Sequence, residues 1–240
     1  MNILEISDVS KKFNGKSILD NINIEIKEKE FVCMVGPSGC GKSTLLNIIM
    51  GFDRPTSGLV NNKSYENINK DKVMVFQDFN QLFPWLTVIE NVCFAFNNKI
   101  DKDEQIKKAN KYLDLVGLKE YENFYPKQLS GGMKQRAAIA RALVLEPKML
   151  CMDEPFASLD IQTRSNLQNL VLDINNKLNT TILFVTHDID EAILLSQKII
   201  VLTNLPTKII KTIKNDLPYP RDRYSLEFKE KVLQVEKLIK

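Results

Sequence analysis

Apolar and polar residues alternate near the start of the chain in the way expected of strands with one buried face. Leu4–Val9 and Ile22–Ile26 follow this period of two and predict two antiparallel strands. Phe31–Val35 is apolar throughout, which is typical of a strand buried on both faces. Similar short runs predict further strands at 73–76, 149–152, 182–185, 199–202 and 208–213.

A helical period replaces this pattern in the middle of the chain. Residues 102–116 carry apolar side chains at 106, 109, 113 and 116, which predicts a helix with one buried face that ends at Gly117. Ser130 is suited to cap a second helix, which Pro147 is expected to stop. A last amphipathic helix is predicted at about 225–239, after Pro218 and Pro220.

Length, charge and cysteine content narrow the class of protein. The 240 residues suit one large domain or a domain with a subdomain. A net charge of +3 is too small to indicate a nucleic-acid partner. The four cysteines show no metal-ligand spacing and, as free thiols, suit a reducing cytoplasm. The sequence shows no signal peptide and no apolar run of the roughly 20 residues that span a bilayer, so we expect membrane association only through a partner.

A phosphate-binding loop is predicted directly after the buried strand Phe31–Val35. It is formed by Gly36, Pro37, Ser38, Gly39, Cys40, Gly41, Lys42, Ser43 and Thr44, and the helix 45–50 follows, ended by Gly51. The glycines allow backbone N–H groups to curl around an anion, and the helix N-terminus favours negative charge. We expect Lys42 to reach the β- and γ-phosphates of ATP and Ser43 to ligate Mg²⁺. The strand and helix flanks argue against a chance glycine turn.

An acidic pair and a glycine-rich helix start are the other candidate sites. The strand 149–152 ends in Asp153 and Glu154, which suit a metal ligand and a proton acceptor, although such a pair alone is usually a solvated strand end. Ser130, Gly131 and Gly132 offer a hydroxyl and unobstructed N–H groups to an anion. An ordinary capped helix is the alternative for this second segment.

The segment 129–136, LSGGMKQR, resembles the signature motif of ATP-binding cassette (ABC) ATPases, and the resemblance extends over about residues 3–223. That family uses the motif in trans, so the resemblance implies a homodimer, two sandwiched ATP molecules and motion coupled to hydrolysis. It also implies that Asp153 holds Mg²⁺ through water and that Glu154 is the catalytic base. Ser130 and Gly132 would complete the site of the opposite copy.

Four further residues take roles from the same resemblance. Gln77 lies at the family's Q-loop position, where it would touch Mg²⁺ and the attacking water; a lone Gln is otherwise a surface residue. His187 matches the histidine at the γ-phosphate, and Asp160, in 158–160, matches the D-loop at the dimer interface. Phe13 matches the aromatic residue that stacks on adenine, where the family more often has Tyr. Without the resemblance, His187 would be interpreted as a structural residue and Phe13 as a core residue.

Two segments resemble the nitrate/sulfonate/taurine importer group within the family, namely 81–92 and Pro220–Arg223. Trp85, the only tryptophan, follows Pro84, and we expect it either to dock a membrane subunit or to fill the subdomain core.

The predicted fold class is therefore α/β, a P-loop NTPase with a mixed β-sheet, an N-terminal antiparallel β region and an inserted α-helical subdomain. We expect a nucleotide-binding core at about 1–85 and 136–215, the helical subdomain at about 86–135 and a C-terminal helical tail at about 216–240. The predicted function is the ATP-hydrolysing subunit of an importer of small anionic solutes. Its partners would be integral-membrane permease subunits, a second copy and, indirectly, a solute-binding protein, at the cytoplasmic face of the membrane.

Other functions remain open at this point. ABC ATPases of DNA repair or chromosome structure carry a very long coiled-coil insertion, whereas about 85 residues separate the phosphate loop from the signature here. Translation-associated relatives carry two cassettes, and this chain has one. A mechanotransmission or Fe–S assembly ATPase, or an importer of another solute such as a thiamine precursor, is the remaining alternative.

Overall fold

The computed structural model describes residues 1–61, 71–78, 81–97, 100–157 and 159–239. They form two compact units, the first made of Met1–Ile68 with Asn179–Lys240 and the second of Asn69–Leu178. The strands, in chain order, are β1 (Asn2–Phe13), β2 (Lys16–Lys27), β3 (Phe31–Val35), β4 (Ser57–Asn61), β5 (Lys72–Val75), β6 (Met149–Asp153), β7 (Thr181–Thr186), β8 (Lys198–Leu202) and β9 (Ile209–Lys214). The helices are α1 (Lys42–Met50), α2 (Val88–Cys93), α3 (Lys102–Leu115), α4 (Gly131–Leu143), α5 (Ile161–Leu178), α6 (Ile189–Leu195) and α7 (Leu226–Ile239).

The first unit contains two sheets. Strands β2, β1 and β4 form an antiparallel sheet in that order, which confirms the two antiparallel strands predicted from alternation and adds β4. The second sheet has the order β7-β3-β8-β9, with β3 parallel to both neighbours and β9 antiparallel to β8. All five residues of β3 are buried, as its uninterrupted apolar sequence predicts.

Helix α1 follows β3 in the first unit and ends where the sequence predicts. Gly51 adopts the left-handed conformation, with φ of 77°, and its N–H bonds the carbonyls of Asn47 and Ile48. Helices α6 and α7 complete the unit, and α7 begins at Leu226 after the two prolines, as expected.

The second unit pairs β5 and β6 in parallel and is otherwise helical. Helix α3 covers the predicted span, and Ala109, Leu113 and Val116 are buried, but Ile106 is exposed. Helix α4 begins after Ser130 as predicted but ends at Leu143, so Pro147 is not its terminator. In the described part of the chain, no helix combines the length and apolar character needed to cross a bilayer.

Candidate functional site

The phosphate loop in the first unit is a compact turn built around Lys42. The Lys42 ammonium donates to the carbonyl oxygens of Gly36 at 2.9 Å and Pro37 at 2.8 Å. Gly39 and Gly41 have φ of 74° and 100°, values that favour glycine, and the space beside Gly39 is open. A buried cation, positive-φ glycines and a helix N-terminus without a side-chain cap together match the requirements of a polyphosphate.

Buried residues pack against the phosphate loop and hold its backbone in place. A Cβ added to Gly36 would lie 3.1 Å from the backbone oxygen of Leu202 and 3.2 Å from the sulfur of Cys40, so this glycine permits a close backbone approach. The hydroxyl of Thr207, which is fully buried, donates to the Cys40 carbonyl. Nothing in the sequence pattern indicates Thr207, because it lies 167 residues away along the chain. Ser43, in contrast, is exposed at the start of α1, where its hydroxyl is accessible to a ligand.

His187 and Phe13 belong to the same unit, and both are accessible. His187 is exposed at the end of β7, between Thr186 and Asp188. Phe13 ends β1 and is 47% exposed, with the Lys11 ammonium 4.7 Å from its ring centroid. The exposure of Phe13 contradicts the alternative that it fills the core.

The acidic pair and Gln77 lie at the same edge of the β5–β6 pair in the second unit. Val75 is paired with Met152, and Gln77 and Glu154 each lie two residues beyond that pair. Asp153 and Glu154 are half-buried and Gln77 is exposed. Glu154 has φ of 41°, a strained conformation for this residue type that is often found at functional sites. Carboxylate and amide oxygens of this kind are ligands that suit Mg²⁺.

Gln81 holds the backbone next to Gln77. Its side-chain amide donates to the carbonyl of Phe76 at 3.1 Å, and its side-chain oxygen accepts from the Phe76 N–H at 3.4 Å. The same amide lies 3.4 Å from the side-chain oxygen of buried Gln135 in α4. The sequence does not predict this positioning contact, because Gln81 stands out there only as part of the segment 81–92 that resembles one group of the family.

The signature segment forms the capped start of α4. The Ser130 hydroxyl accepts from the N–H of Met133 at 3.3 Å, yet the residue is exposed, so its own proton remains available to an anion. Gly132 is buried against Thr163 of α5. Arg136 donates to the carbonyl of Val116 at 2.8 Å and ties α4 to the end of α3.

Asp160 is exposed just before α5, and its carboxylate accepts from the N–H of Thr163 at 2.9 Å. Hydrogen bonds from Thr163 lower the pKa of Asp160, so it is an anion at neutral pH. A Cβ added to Gly131, at the start of α4, would lie 3.7 Å from the side chain of Leu159, the residue before Asp160. Ser158 of the predicted D-loop lies outside the described residues.

A sequence profile of a known family matches more than half of the chain. The profile described as ABC transporter aligns with residues 19–157. The chain belongs to the ABC transporter family. As an ABC ATPase it has the P-loop NTPase fold and the ATP-hydrolysing activity that the sequence predicts.

Relatives of this ABC ATPase align over nearly its whole length. It is 45% identical to an aliphatic sulfonates import ATP-binding protein of Bacillus cereus, over 96% of this chain and 94% of the relative. It is 46% identical to a nitrate import ATP-binding protein of a Synechocystis species, over 90% and 83% of the two chains. A solved dimeric ATP-binding cassette in a post-hydrolysis state, bound to ADP and phosphate, superposes with a TM-score of 0.75 at 34% identity, covering 90% of this chain and all of the other.

Trp85 of this ABC ATPase projects from an ordered loop. It is 70% exposed, and its ring lies 5.4 Å from that of Phe83, so the core alternative is wrong. Asn91, fully buried in α2, accepts from the Phe83 N–H at 2.8 Å and donates to the carbonyls of Phe83, Leu86 and Thr87. Asn91 therefore fixes the loop that presents the tryptophan.

Proposed function

We propose that this ABC ATPase is the energy-supplying subunit of a membrane importer for small anionic solutes of the nitrate, sulfonate or taurine type. The observation that carries the proposal is the near full-length similarity to import ATP-binding proteins for aliphatic sulfonates and nitrate. The exposed Trp85, held by Asn91 in the 81–92 segment that suggests the same group, supports it. A thiamine-precursor importer, a mechanotransmission ATPase and an Fe–S assembly ATPase are less favoured, because the relatives described above are import ATP-binding proteins for sulfonates and nitrate.

ATP binds first at the phosphate loop. Backbone N–H groups of the phosphate loop and the Lys42 ammonium hold the β- and γ-phosphates, and Phe13 stacks on the adenine. The open space at Gly39 and the exposed face of Phe13 support these roles. Because Phe13 lacks the hydroxyl of tyrosine, it contributes only the face of its ring.

Hydrolysis follows when a water molecule is activated beside the γ-phosphate. Glu154 accepts the proton of the attacking water, and Gln77 orients that water. His187 donates to the γ-phosphate and stabilises the charge that develops there. Ser43, Gln77 and Asp153 are the residues that would hold Mg²⁺, which supplies positive charge to neutralise the phosphate oxygens when bound.

Two copies complete each other's sites. Ser130 and Gly132 of one copy present a hydroxyl and N–H groups to the γ-phosphate held by the other, and Asp160 lies at the interface. The similarity to a dimeric cassette bound to ADP and phosphate supports this arrangement. Hydrolysis then opens the dimer, and two identical active sites are the simplest form of such an assembly. ATP-dependent closure is the motion that drives transport.

The permease contacts the loop around Trp85 at the cytoplasmic face of the membrane. An exposed aromatic side chain on a rigid loop is typical of the anchor residues that carry binding energy. The subunit itself does not touch the solute, and a solute-binding protein acts on the opposite side of the permease. No nucleic acid takes part.

Growth of a deletion strain tests this function. Cells that lack this chain should fail to grow on one class of compound. That class is either an alkanesulfonate or taurine as the sole sulfur source, or nitrate as the sole nitrogen source. The wild-type chain should restore growth and Glu154→Gln should not, while both copurify with a multispanning permease. Two results together would contradict the importer function and favour a non-transport complex. They are normal growth of the deletion strain on all three compounds and failure of the wild-type chain to copurify with a permease.

A further inference from the structure

The tail segment Asn215–Arg221 is bound to the end of α6, the short helix that begins directly after the His187 turn. Arg221 Nη1 donates to the carbonyls of Ile193 at 2.6 Å and Ser196 at 2.7 Å and lies 3.2 Å from that of Leu194. A helix leaves its last four carbonyls without internal partners, and a cation there interacts favourably with the helix dipole. Arg221 therefore acts as a C-terminal cap supplied from a distant part of the chain.

Two more side chains of the tail share this task. Asn215, which is buried, donates from Nδ2 to the carbonyls of Ile193 at 2.7 Å and Ser196 at 2.9 Å. The Tyr219 hydroxyl donates to the carbonyl of Leu195 at 2.5 Å, and the Arg221 guanidinium lies 4.0 Å from the Tyr219 ring. Burial raises the pKa of Tyr219 to about 12, so the hydroxyl keeps its proton at neutral pH. The tail thus satisfies every carbonyl from 193 to 196.

The opposite end of α6 is equally fixed and adjoins His187. Asp188 caps the helix by accepting from the N–H of Glu191 at 3.2 Å, and its own N–H donates to the Thr186 hydroxyl at 3.0 Å. That hydroxyl donates to the buried Glu191 carboxylate at 2.8 Å. The residues on both sides of His187 are therefore joined to the first turn of α6.

The length of α6 makes its position depend on these contacts. Seven residues span roughly 10 Å, and a helix this short is not stable without tertiary contacts. A displacement of its C-terminal end would be transmitted to the Thr186–Glu191 turn, because the helix between them is a single rigid element. Catalytic groups tolerate little misplacement.

We propose that Arg221 is a positioning residue for ATP hydrolysis, acting with Asn215 and Tyr219 through α6 to hold His187 in its working orientation. This inference rests on the role proposed above for His187. It gives the Pro220–Arg223 segment a function in the catalytic cycle, although the segment lies far from the phosphate loop in sequence.

The test compares Arg221→Met with two matched variants. Arg221→Lys keeps the charge but has one nitrogen in place of the guanidinium fork, and Lys231→Met removes one tail cation that bonds Lys214 and Asp216. At a temperature where each variant is fully folded, Arg221→Met should lower kcat roughly 10- to 100-fold with the KM for ATP changed less than about twofold. Arg221→Lys should recover part of the loss, and Lys231→Met should match the wild type.

The NMR signal of His187, the only histidine in the chain, separates positioning from stability. In untagged protein, Arg221→Met should shift or broaden this signal and Lys231→Met should not. An unchanged His187 signal with an unchanged kcat, accompanied only by a lower Tm, would overturn the proposal. If Arg221→Met does not fold, Tyr219→Phe replaces it, since that change removes the hydroxyl that bonds Leu195 and keeps the ring beside Arg221.

His187→Ala distinguishes failure of this inference from failure of the proposed site. If His187→Ala hydrolyses ATP at the wild-type rate, the role of His187 and the inference are both wrong. If His187→Ala keeps a low but measurable rate, adding Arg221→Met should cost little more, because both changes remove the same interaction. Losses that multiply in the double variant would show that Arg221 acts elsewhere.

Discussion

The close approach of α4 and α5 at Gly132 makes a quantitative prediction about packing. A Cβ built on Gly132 lies 2.3 Å from the Thr163 methyl group, whereas a Cβ on the neighbouring Gly131 lies 3.7 Å from Leu159. The first distance forces Thr163 to move, and the second is an ordinary van der Waals contact. Movement of Thr163 would also disturb its bonds to Asp160, which precedes α5.

Gly132→Ala and Gly131→Ala both replace a glycine in the first turn of α4, so the backbone preference for alanine over glycine is similar in the two variants. Their difference therefore isolates the clash, which should cost Gly132→Ala about 1–3 kcal/mol relative to Gly131→Ala. For a chain of this size the difference is roughly 2–12 °C in Tm, measured by calorimetry or circular dichroism. Adding Thr163→Ser, which removes the methyl group and keeps the hydroxyl, should restore most of the loss. Equal Tm values for the two alanine variants would refute the close approach.

Three other predictions concern docking, the dimer and the thiols. Truncation of buried Phe96 should cost about 3–5 kcal/mol of stability, and Trp85→Ala should cost far less. Trp85→Ala should nevertheless reduce the amount of permease that copurifies. Equal losses of stability in the two variants would place Trp85 in a core. Ser130→Arg should leave ATP binding to one copy intact but abolish dimerisation and hydrolysis, as size-exclusion chromatography and phosphate release can show, and an active variant would contradict completion in trans. Burial raises the pKa of Cys33, and that of Cys151 to about 12, so neither forms a thiolate near pH 8 and both should resist maleimide until the chain unfolds; prompt labelling of either in folded protein would contradict the burial.

The parts predicted correctly from sequence are those whose chemistry is local. The run Phe31–Val35 is apolar at every position because its strand has neighbours on both sides, and the loop that follows needs glycine where φ is positive. Ser130 precedes its helix and bonds an N–H three residues later, so the cap lies within four consecutive residues and a local pattern can indicate it. The division into a core and a helical subdomain at about 86–135 stays a prediction.

The parts that were missed depend on contacts between distant residues or on weak periodicity. Helix α5, with 18 residues, buries the polar Gln168 and Asn175 beside Leu167, Val171 and Ile174, so polar residues widen its buried face beyond the apolar stripe. Helix α6 is too short to show a period at all. The side chains that hold these elements, such as Arg221 at the end of α6, reach carbonyls 25 to 28 residues away, and no local pattern encodes that pairing.

Hydrolysis by Glu154→Gln tests the central claim most directly. Glutamine keeps the shape of the side chain but cannot accept the proton of the attacking water, so the rate should fall roughly 10²–10⁴-fold. ATP should still bind, and with Mg²⁺ the variant should run as a stable dimer in size-exclusion chromatography, because cleavage no longer opens it. Glu104→Gln, the same change at an exposed carboxylate of α3 that pairs with Lys108, provides a matched control for loss of charge. Turnover near the wild-type rate, or a variant that stays monomeric with ATP, would contradict the account.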